Sequence, residues 1–250
     1  MKILAIANSF STDACAYLHQ AARSQGVKLN VYNLYIGGCP LEKHVRNLET
    51  GEAVYDLQHN GKSTGRYVSM MEMLQKGGWD AIITQQASHD SGWLDSYEPF
   101  LGILTETFRR EAPGARLLLQ QTWAYEHNST HAHFLRYNRS QQQMYERLTA
   151  CYRAMAQKYQ LEIIPCGDLI QQARALPAFD TLAGGQTLCR DGFHMNLYGR
   201  YLLALVWLRK LCGTDVSENR YRPLSACGVE KVDRELLAVL RTLAQKGVTP

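Results

Sequence analysis

Ile3-Leu4-Ala5-Ile6-Ala7 runs directly into Asn8-Ser9-Phe10-Ser11-Thr12-Asp13, and that join decides the fold. The apolar run is too short to be the core of a signal sequence and ends in polar Asn8-Ser9, so it reads as a first β-strand. The residues behind it open a helix from about Ser11 to Gln25. Ser11 or Thr12 suits its N-cap, and Asp13 its first turn, where the helix end is positive.

Outward from that unit, strand and helix patterns keep alternating, which points to βα units and a parallel sheet. Lys28 to Tyr35 is a second strand broken by Gly37-Gly38, and Pro40 to Leu48 a short helix. Residues 53–68 change character: two short strand-like runs flank Asn60-Gly61, which predicts a β-hairpin excursion outside the main sheet. Met70 to Lys76 is helical, and its methionines read as core filling. Trp79 to Thr84, Arg116 to Gln121 and Leu161 to Pro165 are three more strands. Helices are predicted over Phe100 to Glu111, Ser140 to Tyr159, Asp168 to Leu176, Leu197 to Leu211 and 230–244. Leu197, Tyr201, Leu205 and Leu208 would form one apolar face of the Leu197 helix. The segment from Thr122 to Asn138 is a long loop rich in aromatic and histidine residues, as functional loops often are.

Composition excludes several classes. At 250 residues and 46% hydrophobic content the chain can bury a substantial core, and one domain over residues 1–250 is expected. A net charge of +4, with basic residues dispersed among acids, argues against a nucleic-acid or membrane-surface role. No run approaches a bilayer span. The seven cysteines form no Cys-x-x-Cys pair and read as buried free thiols. Neither glycine pair, Gly37-Gly38 or Gly77-Gly78, sits in a nucleotide-binding motif. The compartment stays open: cytoplasmic as written, or secreted or periplasmic if a leader was removed.

Chemistry concentrates at strand ends. In an open parallel sheet, ligands bind beyond the carboxyl ends of the strands near the switch point in strand order. Ser9 follows the first strand, Gly37-Gly38 the second, Gln85-Gln86-Ala87-Ser88 the third and Trp123 the fourth. Asp191-Gly192-Phe193-His194 precedes the Leu197 helix and can reach the same edge. His194 could serve as base for the Ser9 hydroxyl while Asp191 fixes its tautomer. The backbone N–H groups of Ser9 and Gly38, with the Gln86 amide, are candidate donors to an oxyanion; Gln85 is the alternative to Gln86. Ser11 competes with Ser9 but suits a cap better. Ser88, His89, Trp123, Tyr125 and His127 are candidate substrate contacts. His127, His131 and His133 have spacing that can suit a metal, but no carboxylate or cysteine completes a set, so no metal is expected. His19, His44 and His59 read as structural or exposed.

Ala7-Asn8-Ser9-Phe10-Ser11, Gly37-Gly38, Gln85-Gln86-Ala87-Ser88 and Asp191-Gly192-Phe193-His194 together resemble, in order, the four blocks of the SGNH (GDSL-like) hydrolase superfamily. The resemblance implies a flavodoxin-like three-layer α/β/α fold with a five-stranded parallel sheet, a Ser9-His194-Asp191 triad, no cofactor, and ester hydrolysis. Two positions depart from the common pattern: Asn8 stands where aspartate is usual, and Gln86 where the third block supplies asparagine. A glutamine there is similar to carbohydrate acetylesterase branches. The Asn8-Ser9-Phe10-Ser11 and Gln85-Gln86-Ala87-Ser88 combination also resembles a bacterial domain family of unknown function within the superfamily. The expected activity is a serine esterase on a small-molecule or glycan ester, foremost a carbohydrate O-acetyl group. A lipid or thioester hydrolase is the alternative enzyme, and a carbohydrate-binding pseudoenzyme the alternative from another class. The oligomeric state stays open.

Overall fold

The computed structural model describes residues 1–229 and 231–250. Seven strands form one sheet: β1 (Lys2–Ala7), β2 (Asn30–Tyr35), β3 (Tyr55–His59), β4 (Lys62–Val68), β5 (Ala81–Thr84), β6 (Arg116–Gln120) and β7 (Glu162–Ile164). The helices are α1 (Ser9–Cys15), α2 (Leu18–Arg23), α3 (Leu41–Thr50), α4 (Met70–Gln75), α5 (Phe100–Glu111), α6 (Gln141–Tyr159), α7 (Cys166–Arg174), α8 (Leu197–Cys212) and α9 (Arg234–Gly247). Glu230, the expected start of the last helix, lies outside the described residues.

The sheet order is β4-β3-β2-β1-β5-β6-β7, with β2, β1, β5, β6 and β7 all parallel. Taken alone, those five have the flavodoxin-like order 2-1-3-4-5, so the expected α/β/α class holds. Ile3, Leu4, Ala5 and Ile6 of the central strand have no solvent exposure, as a strand covered on both faces requires. Crossovers leave β1 toward β2 and, beyond it, toward β5 in the opposite direction. Right-handed connections therefore put α1 and α2 on one face and α4, α5 and α6 on the other. The chain then returns α8 to the first face, against α1, α2 and α7.

The hairpin of residues 53–68 corrects its expectation: it joins the sheet, making seven strands where five were expected. β3 pairs antiparallel with β2 in the register Tyr32↔His59 to Tyr35↔Asp56, which covers the otherwise open edge of β2. Asn60 fastens it, donating its N–H to Val31 O at 2.8 Å and accepting from Val31 N at 2.9 Å. Asn60 and Gly61 both have positive φ, 51° and 83°, as a two-residue primed hairpin turn needs. A Cβ on Gly61 would stand 2.6 Å from the Ala16 carbonyl, at the break between α1 and α2. The single helix expected from Ser11 to Gln25 is thus two short ones.

α8 also differs from expectation. Instead of one apolar face it is buried on nearly every side, Leu197 through Leu208 apart from Arg200, because α9 covers the side away from the sheet. His44 of α3 is fully buried, stacked on Tyr55 at 5.7 Å and sharing a 2.9 Å hydrogen bond between Nδ1 and the phenol. Burial, with the Lys43 charge adding to it, lowers its pKa to about 3. Between about pH 6.5 and 3 the unfolded chain binds a proton that the folded chain refuses, so His44 costs stability as pH falls through that window. His44→Gln should flatten the acid limb of stability against pH by an amount on the order of 4 kcal/mol. Urea titrations at pH 7 and pH 4 measure this, and parallel curves for the two proteins would refute it.

Candidate active site

The turn after β1 is built by Asn8, which caps α1 in place of the expected Ser11 or Thr12. Its Oδ1 accepts from Phe10 N at 3.1 Å and from Gln85 Nε2 at 2.6 Å, and its Nδ2 donates to Cys39 O at 3.1 Å. The chain of amides continues from Gln120 Nε2 to Gln85 Oε1. Asn8 thereby ties together the ends of β1, β5 and β6 and the turn after β2. Ser9 opens the helix half-buried. Ser11 is fully buried, with its hydroxyl 2.8 Å from both Asn8 O and Asn33 Oδ1, and is out of reach of a ligand.

Ser9 Oγ lies 2.9 Å from His194 Nε2, and His194 Nδ1 lies 2.7 Å from Asp191 Oδ2. The other Asp191 oxygen accepts from the backbone N–H of His194 at 2.7 Å and of Phe193 at 3.2 Å. Partial burial pushes the Asp191 pKa upward, but the His194 N–H and ring, together with the Phe193 N–H, overcome it and hold the carboxyl below its usual value. Asp191 keeps 39% of its side chain exposed. The arrangement can move a proton from the serine hydroxyl to the imidazole with the acid fixing the ring.

The loop that carries this pair is tied down along its length. Trp123 donates its indole N–H to Phe193 O at 2.7 Å, and Glu126 N donates to Gly192 O at 2.8 Å. Gly192 has φ +84°, and a Cβ there would sit 2.9 Å from Ser129 Cα. The decisive tie is Asp13, which has no solvent exposure. Its carboxylate accepts from Met195 N at 2.8 Å, Arg190 Nη1 at 3.0 Å and Arg200 Nε at 2.8 Å. In the sequence Asp13 reads only as a favourable charge in a first helical turn. A helix starting at Ser9 would have shown the two residues one turn apart on one face.

The turn Ile36–Cys39 closes with Cys39 N donating to Ile36 O at 3.4 Å, and Gly38 takes φ +60°. No Cβ clash explains that glycine, since the space around it is open; the left-handed backbone does. Among the described residues neither the Ser9 nor the Gly38 N–H has a protein acceptor. The Gln86 amide is a correction. Its Nε2 donates to Ser96 O at 2.7 Å and Ser96 Oγ at 3.1 Å, and its Oε1 accepts from Leu41 N and Ala87 N at 3.0 and 2.8 Å. Every polar atom of that side chain holds neighbouring loops. Gln85 is likewise occupied by Asn8 and Gln120.

The expected substrate contacts divide. Trp123 is fully buried and stacked on Phe10 at 3.9 Å, so it packs and holds the histidine loop without facing a ligand. Tyr125 is also buried, its hydroxyl 2.9 Å from Ser88 Oγ and its ring against Phe193 at 5.5 Å. His127 is exposed and lies 3.4 Å from the Thr181 hydroxyl. His89 is half-exposed and stacks on His133 at 4.7 Å. His131, read only as a metal candidate, meets Phe193 edge-on at 4.7 Å and so borders the site. Burial first, then the neighbouring His133, lowers its pKa. Among the described residues no group of three or more histidine, cysteine or acidic side chains is placed to hold a metal ion.

Solved structures of SGNH- and GDSL-type hydrolases share the fold. The acetylxylan esterase Axe2 of Geobacillus stearothermophilus superposes with a TM-score of 0.56 at 13% identity, over 84% of this chain and 94% of that one. TesA superposes with a TM-score of 0.53 at 15% identity, over 84% of this chain and 99% of that one. The chain belongs to the DUF4886 family, described as a domain of unknown function, whose model matches residues 2–239. A DUF4886 family protein from Bacteroides uniformis is 34% identical, with a TM-score of 0.89 over 99% of this chain and 94% of its own. No curated protein matches the chain.

Asp13→Ala would leave the Arg190 and Arg200 guanidiniums without their shared anion. We expect a loss of about 3 kcal/mol in urea unfolding, the low end for a broken buried pair because both arginines are partly exposed. A loss below about 1 kcal/mol, the scale of a surface pair, would show that Asp13 does not anchor the loop.

Proposed function

We propose that the protein is a serine esterase working through an acyl-enzyme. The observation that carries this reading is the unbroken chain from Ser9 Oγ through His194 to Asp191, at 2.9 and 2.7 Å. The neutral imidazole donates Nδ1–H to Asp191 and accepts the Ser9 hydroxyl proton at Nε2. The freed oxygen bonds to the acyl carbon, and the carbonyl electron pair becomes an oxyanion facing the Ser9 and Gly38 N–H groups. Collapse breaks the bond to the alcohol oxygen, which leaves with the proton from Nε2. Water then repeats the sequence on the acyl-enzyme and regenerates Ser9.

With Gln86 and Gln85 occupied, the two backbone donors are the oxyanion groups in this reading. Each is placed by rigid structure, one at the first turn of α1 and one on a strand-end turn, so neither needs to reorganise during reaction. The foremost substrate is a small acyl ester of a carbohydrate, in keeping with the acetylxylan esterase among the proteins of this fold. The intact serine–histidine–aspartate chain speaks against a binding-only role.

Purified protein should hydrolyse p-nitrophenyl acetate and label with a fluorophosphonate probe, and Ser9→Ala should lose both. His194→Ala should lower turnover at least ~100-fold, as removal of a positioned general base does. Rising kcat/KM along a p-nitrophenyl acetate, butyrate and octanoate series would favour a lipid or thioester hydrolase. Unchanged activity in Ser9→Ala would sink the assignment.

A further inference from the structure

Three histidines stand one ring away from the imidazole that faces Ser9. The Phe193 ring packs against His194 at 4.2 Å and against His131 at 4.7 Å between centroids. His131 lies 5.6 Å from His133 and 6.4 Å from His89, and His89 stacks on His133 at 4.7 Å. His89 follows β5 and the other two follow β6, so the fold assembles the cluster from separate segments. His133 is exposed and its two partners partly so, which leaves all three rings open to solvent.

The carboxylates facing these rings are already engaged. Asp90 comes within 3.3 Å of His89 Nε2, but its other oxygen is held by the Arg136 guanidinium, which also donates to His89 O at 2.9 Å. Arg136 and Asp90 thus cancel each other's charge. Asp191 is taken up by the His194 ring and two backbone N–H groups. Tyr125, 4.7 Å from His131, is a neutral phenol shared with Ser88. Burial first, then the neighbouring histidines, lowers the pKa of His131, and burial lowers that of His89 against the pull of Asp90. An anion placed on the rings would reverse this by favouring their charged form. It would bind together with protons, more tightly as pH falls through the histidine range. A neutral ligand gains nothing from that step.

We propose that His89, His131 and His133 form a proton-coupled subsite for a carboxylate on the alcohol portion of the ester. The inference rests on the esterase reading for its link to catalysis. His194 must hand its proton to the departing alcohol oxygen, and the cluster adjoins His194 through Phe193, so the alcohol is the portion that meets it. The acyl oxygen is directed to the Ser9 and Gly38 N–H groups instead. Esters of acidic alcohols are therefore the favoured substrates, increasingly so in mildly acidic medium.

The test compares m-acetoxybenzoate with m-acetoxybenzamide, which place a carboxylate or its neutral counterpart on the leaving alcohol. The ratio of their kcat/KM values, acid over amide, should rise about fivefold from about pH 7.5 to 5.5, the scale of one partly exposed ion pair, chiefly through KM. In His131→Gln/His133→Gln the ratio should stay level. A level ratio in the unsubstituted protein, or a slope that survives the double substitution, overturns the subsite and leaves the esterase standing. So does a slope confined to p-nitrophenyl hydrogen succinate against p-nitrophenyl butyrate, a pair that moves the carboxylate to the acyl portion. The second measurement titrates Ser9→Ala protein with m-hydroxybenzoate by calorimetry in two buffers of different ionisation enthalpy. Proton uptake on binding that the histidine substitutions remove supports the subsite even if no ester is turned over, in which case it is the esterase reading that fails. Binding without proton uptake, or no binding, overturns the subsite.

Discussion

A carboxylate with no access to water, Asp13, is the constraint around which the rest of the site is arranged. A buried charge is tolerated only when opposite charge and hydrogen bonds replace its lost hydration. Here both come from the far end of the chain: Arg190 and Met195 lie 177 and 182 residues away, and Arg200 187. One turn before Asp13 on the same helix stands Ser9. Satisfying the aspartate therefore also brings His194, which lies between Arg190 and Met195, to the serine. Arg190 closes the loop further, since its backbone N–H donates to His194 O at 2.9 Å and its guanidinium to Met195 O.

The second constraint is amide rather than ionic. Where strands end in a parallel sheet, carbonyl and N–H groups emerge without ladder partners, and side chains with both a donor and an acceptor suit them best. Asn8 uses both: it accepts from Phe10 N and Gln85, and donates to Cys39 O. Aspartate at this position would keep the two acceptor contacts and oppose the Cys39 carbonyl. Asn8 is thus fitted to a strand end at which Gln85 and Gln120 are also amides. The departure at Asn8 from the pattern the chain resembles is a local exchange of partners, and it leaves the serine held.

Much of this was legible in the sequence. The five parallel strands follow from period and turn signals, their flavodoxin-like order is what the resemblance implies, and Ser9, Asp191 and His194 stand out only jointly, by strand-end position and that resemblance. What escaped was set by contacts remote in sequence. The hairpin of residues 53–68 reads as an excursion until the open edge of β2 is known. α8 reads as amphipathic until α9 is laid over it. Gln86 and Trp123 are of the right type and at the right strand ends, yet a glutamine amide and an indole N–H serve equally well to tie loops. Sequence position cannot say which partner, Ser96 O or a ligand oxygen, is nearer.

The outcome is a division of labour between rigid and adjustable parts. The serine and its two free N–H groups are fixed by the sheet, where every neighbouring backbone is in register and displacing one strand end disturbs the others. Histidine and aspartate ride on a loop, which of itself would be the more mobile element. Trp123, Glu126, Ser129 and Asp13 each remove part of that mobility from a different direction. A loop so held keeps the 2.9 Å contact with Ser9 without being part of the core, and leaves Asp191 39% exposed. Exposure of the acid is compatible with a fixed position because two backbone N–H groups and the imidazole hold its charge in place. Orientation of the imidazole therefore depends on hydrogen-bond geometry more than on a low dielectric, and it survives an open, water-accessible site.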